Sequence, residues 1–321
     1  MELVSLRQIQ DAATAIRGVA VRTPLTACPW AARAGSPSSG LWLKQENRQP
    51  IGAFKLRGAH NAISRIPSEK LASGVVTHSS GNHGQAVAYA ARALGIPATV
   101  MMPENSVPLK IERVRALGAD VVLVPTADRL PTALRLAAER GSTVIPPYDH
   151  PDVIAGQGTV GLEILDDLPD VDVVLVPVGG GGLVSGVAMA VKSLHPWIRV
   201  IGVEPELAAD ARDSLRAGRL VPWPVPDLGR TIADGLRAQL SELTLAHITA
   251  LVDDIVTVSE DEIRSAVAIL ARRADVVAEP SGAVTTAAYL HRFAEIPAGK
   301  VAAVISGGNI DPALLRELLD P

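Results

Sequence analysis

The chain has 321 residues, 48% of them apolar and only 3% aromatic, with 30 Lys and Arg against 34 Asp and Glu. The length suffices for a large core, and the near balance of charge without a basic block excludes an electrostatic footprint for nucleic acid or an anionic membrane. The single cysteine, Cys28, excludes an internal disulfide framework and a cysteine-based zinc site, which suits a reducing, cytoplasmic compartment.

The opening MELVSLRQIQDAATAIRG carries Glu2 and lacks the basic start and apolar run of an export signal. Ser5 with Gln8 three residues on predicts a capping box, and Leu6, Ile9, Ala13 and Ile16 predict a packed helix ending at Gly18. Ala34 to Gly40, rich in Ser, Gly and Pro, reads as a loop. In Gly52-Ala53-Phe54-Lys55-Leu56-Arg57-Gly58-Ala59 one lysine stands among small and apolar residues at a predicted helix start. Desolvation and the positive helix end both disfavour its ammonium form there and make it a usable amine nucleophile, although a solvated surface lysine fits the same residues.

From Gly74 short β-branched runs alternate with Ala-rich helical ones: GVVTH, AVAYAARALG, ATVMMP, VPLKIERVRALG, DVVLVP, LPTALRLAAERG, TVIPPY. A second series, VGLEILDDL, VDVVLVPV, LVSGVAMAVKSL and RVIGVE, closes with VAAVIS. Alternation of this kind predicts parallel sheets flanked by helices, here two of them in two lobes. The uncharged stretch Val173 to Val191 is interrupted by Pro177 and four glycines, so a strand, a turn and a helix explain it better than a membrane span. Three prolines between Arg219 and Asp227 mark a loop, and Ser259 with Glu262 opens a capped helix running through Arg272.

Three turns follow strands. Val76-Thr77-His78-Ser79-Ser80-Gly81-Asn82-His83-Gly84 brings hydroxyls, an amide and helix N-terminal N–H groups to the crevice position of an open sheet, which suits a carboxylate but also fits an ordinary polar turn. Gly179-Gly180-Gly181-Gly182 lets several backbone N–H groups approach one phosphate at a helix start. A dinucleotide turn competes, with Glu204 at about the position of a ribose-binding acid, yet a G-x-G-x-x-G register puts Val184 or Ser185 where the third glycine belongs. The last turn, Ser306-Gly307-Gly308-Asn309, follows the run Val301 to Ile305.

Taken together these segments resemble the fold-type II pyridoxal phosphate (PLP) enzymes, in the branch of serine/threonine dehydratases and serine racemases. The likeness runs through RTPL, FKLRGA, THSSGNHGQA, AGQGT, GGGGL, GVEP, TIADG, VDDI, EPSGA and SGGN. It implies an α/β fold of the tryptophan synthase β type, with a large PLP-binding domain from residues 1–73 and 150–321 and a small mobile domain at 74–149. Lys55 would carry PLP as a Schiff base, Phe54 pack beside the ring, Asn82 bond the ring hydroxyl, Gly179 to Gly182 hold the phosphate and Ser306 face the pyridine nitrogen. A hydroxyl there leaves the ring a weaker electron sink than a carboxylate would, which favours elimination over transamination.

The implied substrate is a small hydroxy amino acid, its carboxylate ringed by Ser79, Ser80, Asn82, His83 and Gly84. Lys55 would act as base at Cα, and Ser80 faces the opposite side of Cα in racemising relatives. Glu204, Asp210 and the carbonyl of Ala208 match a divalent cation site of this branch, all oxygen and so suited to Mg²⁺, Mn²⁺ or Ca²⁺. His60, His195, His247 and His291 read as structural or surface residues. The implied activity is a serine/threonine ammonia-lyase, in a homodimer. A serine racemase or a 3-hydroxyaspartate dehydratase stays open, the latter with a second carboxylate meeting Arg129. Tyr148, aromatic as in dehydratases, leans toward elimination, while Arg129, near the position of a substrate-side arginine in racemases, leans the other way. Outside this class, a nicotinamide-dependent oxidoreductase or a non-catalytic ligand-binding protein fits an α/β chain. Only 12 residues follow Asn309, so no regulatory C-terminal domain is expected.

Overall fold

The alternation of β-branched and Ala-rich segments does produce two helix-flanked sheets. They are seen in a computed structural model that describes residues 2–31, 40–79, 81–106 and 108–320. The strands among them are β1 (Leu25–Ala27), β2 (Gly40–Gln45), β3 (Val75–His78), β4 (Ala98–Pro103), β5 (Asp120–Val124), β6 (Thr143–Val144), β7 (Val173–Pro177), β8 (Arg199–Pro205), β9 (Asp254–Val258) and β10 (Lys300–Ile305). Six form one sheet in the order β1-β2-β10-β7-β8-β9, parallel except for the antiparallel edge pair β1 and β2. The other four form a wholly parallel sheet, β5-β4-β3-β6.

The near-continuous apolar runs are explained by cover on both faces. In β7, Val173 and Leu175 enter one core cluster with Leu43, Val203 and Ala283, while Val174 and Val176 enter another with Val187 and Val200. The small sheet divides likewise: Val75, Val100 and Met102 pack on one side, Val76 and Met101 on the other. The helix Lys55–Ser64 buries Leu56, Ala59 and Ile63 in the first of these small-sheet cores.

Capping signals translate directly. The helix Leu6–Ala15 carries the Ser5/Gln8 capping box and Glu260–Ala274 the Ser259/Glu262 one. In the first helix the buried stripe is Ile9, Ala12 and Ile16; Ala13 is only partly buried. The strands β1, β2 and β9 are not among the predicted runs. Among the described residues no helix is long and apolar enough to cross a membrane; the candidate stretch splits into β7, the glycine turn and the helix Gly182–Leu194.

Candidate active site

The turns that carry chemistry leave the C-terminal ends of β3, β7 and β10, the edge at which open α/β sheets bind ligands. The segment after β10 runs beside the one before the helix Lys55–Ser64. Phe54 N–H donates to the Ser306 carbonyl (3.0 Å), Ala53 bridges Gly307, and Gly308 N–H donates to the Gly52 carbonyl (2.9 Å). This pairing fixes Lys55 at the first position of its helix, where burial pushes its amine down to about 8. Lys55 Nζ donates to the Pro147 carbonyl at 2.7 Å and lies 5.0 Å from the centre of the Phe54 ring; among the described residues no carboxylate pairs with it.

The next residue, Tyr148, closes the tetraglycine turn. A Cβ on Gly180 would fall 2.4 Å from the Tyr148 ring, and one on Gly182 2.9 Å from Tyr148 Cβ. Gly181 takes a left-handed φ of 87°. Only glycine lets this backbone fit beneath the tyrosine. None of the four N–H groups donates to another described residue, and Ser185 Oγ, buried in the first turn of the following helix, lacks a partner among the described residues. A pocket of unused donors at a helix start, beside a desolvated amine, fits the phosphate and aldehyde ends of PLP.

After β3, Ser79 N–H is tied to the Met101 carbonyl (3.1 Å), and Ser79 Oγ accepts from Gly81 N–H (3.2 Å). Ser80 lies outside the described residues. Asn82 begins the helix Asn82–Leu94, and Gly84 sits against Val100 of the sheet. His83 turns its ring inward, Nε2 against the Ile145 carbonyl at 2.9 Å; burial, with the Lys55 charge adding to it, takes the imidazole down to about 3. His83 is thus neutral, and any part in anion binding falls to its backbone. Ser306 is buried, with Oγ 3.4 Å from the Ser281 carbonyl. Arg129 heads the helix Arg129–Arg140, Nε bonding the Thr126 carbonyl (3.0 Å), and its charge reaches His78 at the end of β3.

Glu204, next to last in β8, is buried and accepts from Ala211 N–H (3.0 Å) and Arg212 N–H (2.8 Å). Burial and then the nearby Asp210 push its carboxyl well above the usual range, and burial takes Asp210 up to about 6. Ala208 is buried in the intervening turn. Two buried carboxylates, one held up by the charge of the other, suit a cation, although among the described residues no three acidic, His or Cys side chains converge.

Sequence reasoning passed over two residues. Arg57, fully buried, donates to Glu46 (2.8 Å, twice), Glu163 (2.7 and 2.8 Å), Thr159 and the Val21 carbonyl, while Lys44 pairs with Glu163 at 2.6 Å. Burial alone would push the Glu46 carboxyl up, but Arg57 holds it below its ordinary value. A cation inside the apolar FKLRGA run was the available signal. Glu279 is the other, buried against Asn82; before Pro280 it reads as a mere helix start.

A family model of pyridoxal-phosphate dependent enzymes matches residues 16–307. Over 307 residues, 94% of this chain and 92% of the relative, the sequence is 44% identical to an L-threo-3-hydroxyaspartate ammonia-lyase of Saccharomyces cerevisiae. It is 42% identical over 322 residues to an L-threonine ammonia-lyase of Thermotoga maritima, covering 99% of this chain and 79% of that one. The structure of maize serine racemase superposes with a TM-score of 0.93 at 37% identity, over 98% of this chain and 97% of the other. The oxidoreductase and non-catalytic readings that the tetraglycine left open fall away, and the chain belongs to the pyridoxal-phosphate-dependent enzymes.

Proposed function

We propose that this protein is an ammonia-lyase acting on L-threonine and L-serine, releasing a 2-oxo acid and ammonia, with PLP carried on Lys55. The observation that carries the reading is the buried Lys55 amine, unpaired with any described carboxylate, at the junction of the Phe54–Ser306 pairing and the Pro147–Tyr148 segment that covers the tetraglycine. PLP bound there supplies an electron-withdrawing ring that acidifies the substrate Cα proton.

The protein's own groups do the rest. The N–H groups of Gly179 to Gly182 hold the phosphate, Phe54 packs beside the ring and Asn82 donates to its oxygen. Ser306 would offer the ring nitrogen a hydroxyl in place of a carboxylate, a partner that would leave PLP the weaker electron sink and favour elimination. Ser79, Asn82, His83 and Gly84 orient the substrate carboxylate at the start of the helix Asn82–Leu94, and Ser80 is assigned to the same task. Once the substrate amine has replaced it, Lys55 Nζ would be free to take the Cα proton, and its lowered pKa keeps a useful fraction neutral near pH 8. The proton taken from Cα would balance the one that leaves with the β-hydroxyl as water, and the freed enamine would hydrolyse to the 2-oxo acid and ammonia.

A divalent cation at Glu204, Asp210 and the Ala208 carbonyl belongs to the same reading, supported by two buried carboxylates held up by burial, that of Glu204 also by the Asp210 charge. So do a mobile small domain at 74–149 on a large domain at 1–73 and 150–321, a homodimer, and a cytoplasmic location consistent with the free, buried Cys28. A second reading, 3-hydroxyaspartate as substrate, is favoured by one observation: the Arg129 charge stands by His78 at the substrate turn, where a second carboxylate would meet it.

Purified protein with bound PLP, offered L-threonine, L-serine and L-threo-3-hydroxyaspartate, tests both readings by 2-oxo acid release. Product from the first two is the expected result. Product from the third alone would select the second reading, D-serine outpacing pyruvate would make a racemase, and no product from any would refute lyase activity.

A further inference from the structure

Glu279 is 6% exposed and stands at the start of the helix Pro280–His291, yet its side chain makes no capping bond to that helix. Its Oε1 instead accepts from Asn82 Nδ2 at 2.7 Å. The other end of the same amide, Asn82 Oδ1, accepts from Asn309 Nδ2 at 2.7 Å, and Asn309 Nδ2 is anchored a second time on the Ile51 carbonyl at 2.8 Å. Reversing the Asn82 amide would set oxygen against the Glu279 carboxyl and nitrogen against the Asn309 nitrogen, losing both bonds and creating two like-facing contacts. The sense of the amide is therefore imposed from both sides, and Nδ2 keeps one N–H to give elsewhere.

That N–H belongs to the Lys55 surroundings. A Cβ on Gly307 would lie 2.2 Å from Glu279 Oε1 and 3.2 Å from Asn82 Nδ2, and Gly307 itself bridges Ala53, two residues before Lys55. The Gly307 carbonyl also accepts from Glu279 N–H at 3.0 Å, so carboxyl, amide and the lysine-bearing segment share one small loop. We propose that Glu279 is a positioning residue which, with Asn309, holds the Asn82 amide so that it presents a donor and not an acceptor to the ring oxygen of PLP. This rests on the reading of Asn82 as the partner of that oxygen.

The charges that face Glu279 from neighbouring elements are Asp234 and, from the helix Pro108–Ala116, Lys110, which bond each other at 3.1 Å. Burial and then Asp234 push the carboxyl up to about 7, with Asn82 and Lys110 opposing. A protonated carboxyl still accepts through its carbonyl oxygen but also offers an O–H, so in that form the sense of the Asn82 amide is set by Asn309, whose Nδ2 is held on the Ile51 carbonyl.

The test is the dissociation constant of PLP from the apoprotein, read with the visible band of the bound cofactor and the melting temperature of the apo form. Asn82→Ala is expected to weaken PLP about tenfold, the scale of one hydrogen bond to a polar ligand. Glu279→Ala should do the same, and the double variant should be no worse than Asn82→Ala alone, since a positioning residue acts only through the group it positions. Glu279→Gln, which keeps an acceptor, should stay within about twofold of the parent. Asn309→Asp turns the donor facing Asn82 Oδ1 into an acceptor and should also weaken PLP, again only when Asn82 is present; this variant decides the matter if Glu279→Ala is not recovered folded. Parent-like affinity in Glu279→Ala or Asn309→Asp, or losses that add to that of Asn82→Ala, would overturn the proposal. If Asn82→Ala itself leaves affinity and band unchanged, the role of Asn82 falls, and the proposal with it.

Discussion

A single methyl group at Gly180 tests the phosphate turn. Its ideal position lies 2.4 to 2.5 Å from three atoms of the Tyr148 ring, among them Cγ, which cannot swing away as a ring tip could. Carbon atoms pack at roughly 3.5 to 4.0 Å, so about 1 Å of displacement is required of the tyrosine or of the turn. Overpacking of this order costs about 1–3 kcal/mol. If the turn yields, its N–H groups leave the phosphate and Gly180→Ala should bind PLP about 5- to 150-fold more weakly, at 1.4 kcal/mol per tenfold. Fluorescence titration of apoprotein with PLP measures this, and apo melting separates it from a folding loss. Tyr148→Ala in the same chain opens the space and should restore most of the affinity. A Gly180→Ala protein that binds PLP like the parent, with unchanged stability, would refute the fit described for the turn.

The apoprotein should capture PLP through the neutral Lys55 amine; below its pKa the ammonium is inert, so the rate should rise about tenfold per pH unit and level off near 8, not near 10.5 where lysine ordinarily titrates. Stopped-flow absorbance reports it, and a rate still climbing at pH 10 would refute the lowered value. Arg57→Met leaves Glu46 buried and unpaired and should cost about 3–5 kcal/mol in urea unfolding, against less than 1 if the network were dispensable. In the parent, the contribution of Glu46, whose pKa is held down in the fold, is present above the ordinary carboxylate range and lost as pH falls through the lowered value. Magnesium at about a hundred times its dissociation constant should add about 2.7 kcal/mol of stability to the parent and none to Glu204→Ala, read as a melting shift of a few degrees; equal shifts in both would dismiss the cation site.

Much of this architecture was legible because local rules and tertiary structure agree. The alternating runs of the parallel sheets are doubly covered, so their apolar residues are continuous and easy to find, and the Ser5 and Ser259 boxes are local hydrogen bonds. The short edge strand β1 escaped because three residues paired antiparallel to β2 carry no periodicity. In the site, Lys55 and the tetraglycine could be found from their unusual neighbours in sequence. Glu279 could not, because its partner Asn82 is 197 residues away and nothing local distinguishes it from a helix start. Arg57 was marked locally only as a cation in an apolar run; its partners Glu46 and Glu163 stand 11 and 106 positions away.

The helix that bears Lys55 has loyalties on both sides of the cleft. Its apolar face is locked into the core of the four-stranded sheet, while Arg57 is clasped by Glu163 on the helix Pro151–Asp167, which packs on Gly182–Leu194 of the other body. Any closing movement about substrate must therefore slide along this shared seam, because swinging open at residue 74 would tear Leu56, Ala59 and Ile63 out of the interior they help to fill. A small domain moving in this way would carry Lys55 with it, the aim of the amine on an incoming amino acid then set by sliding distance instead of by hinge angle.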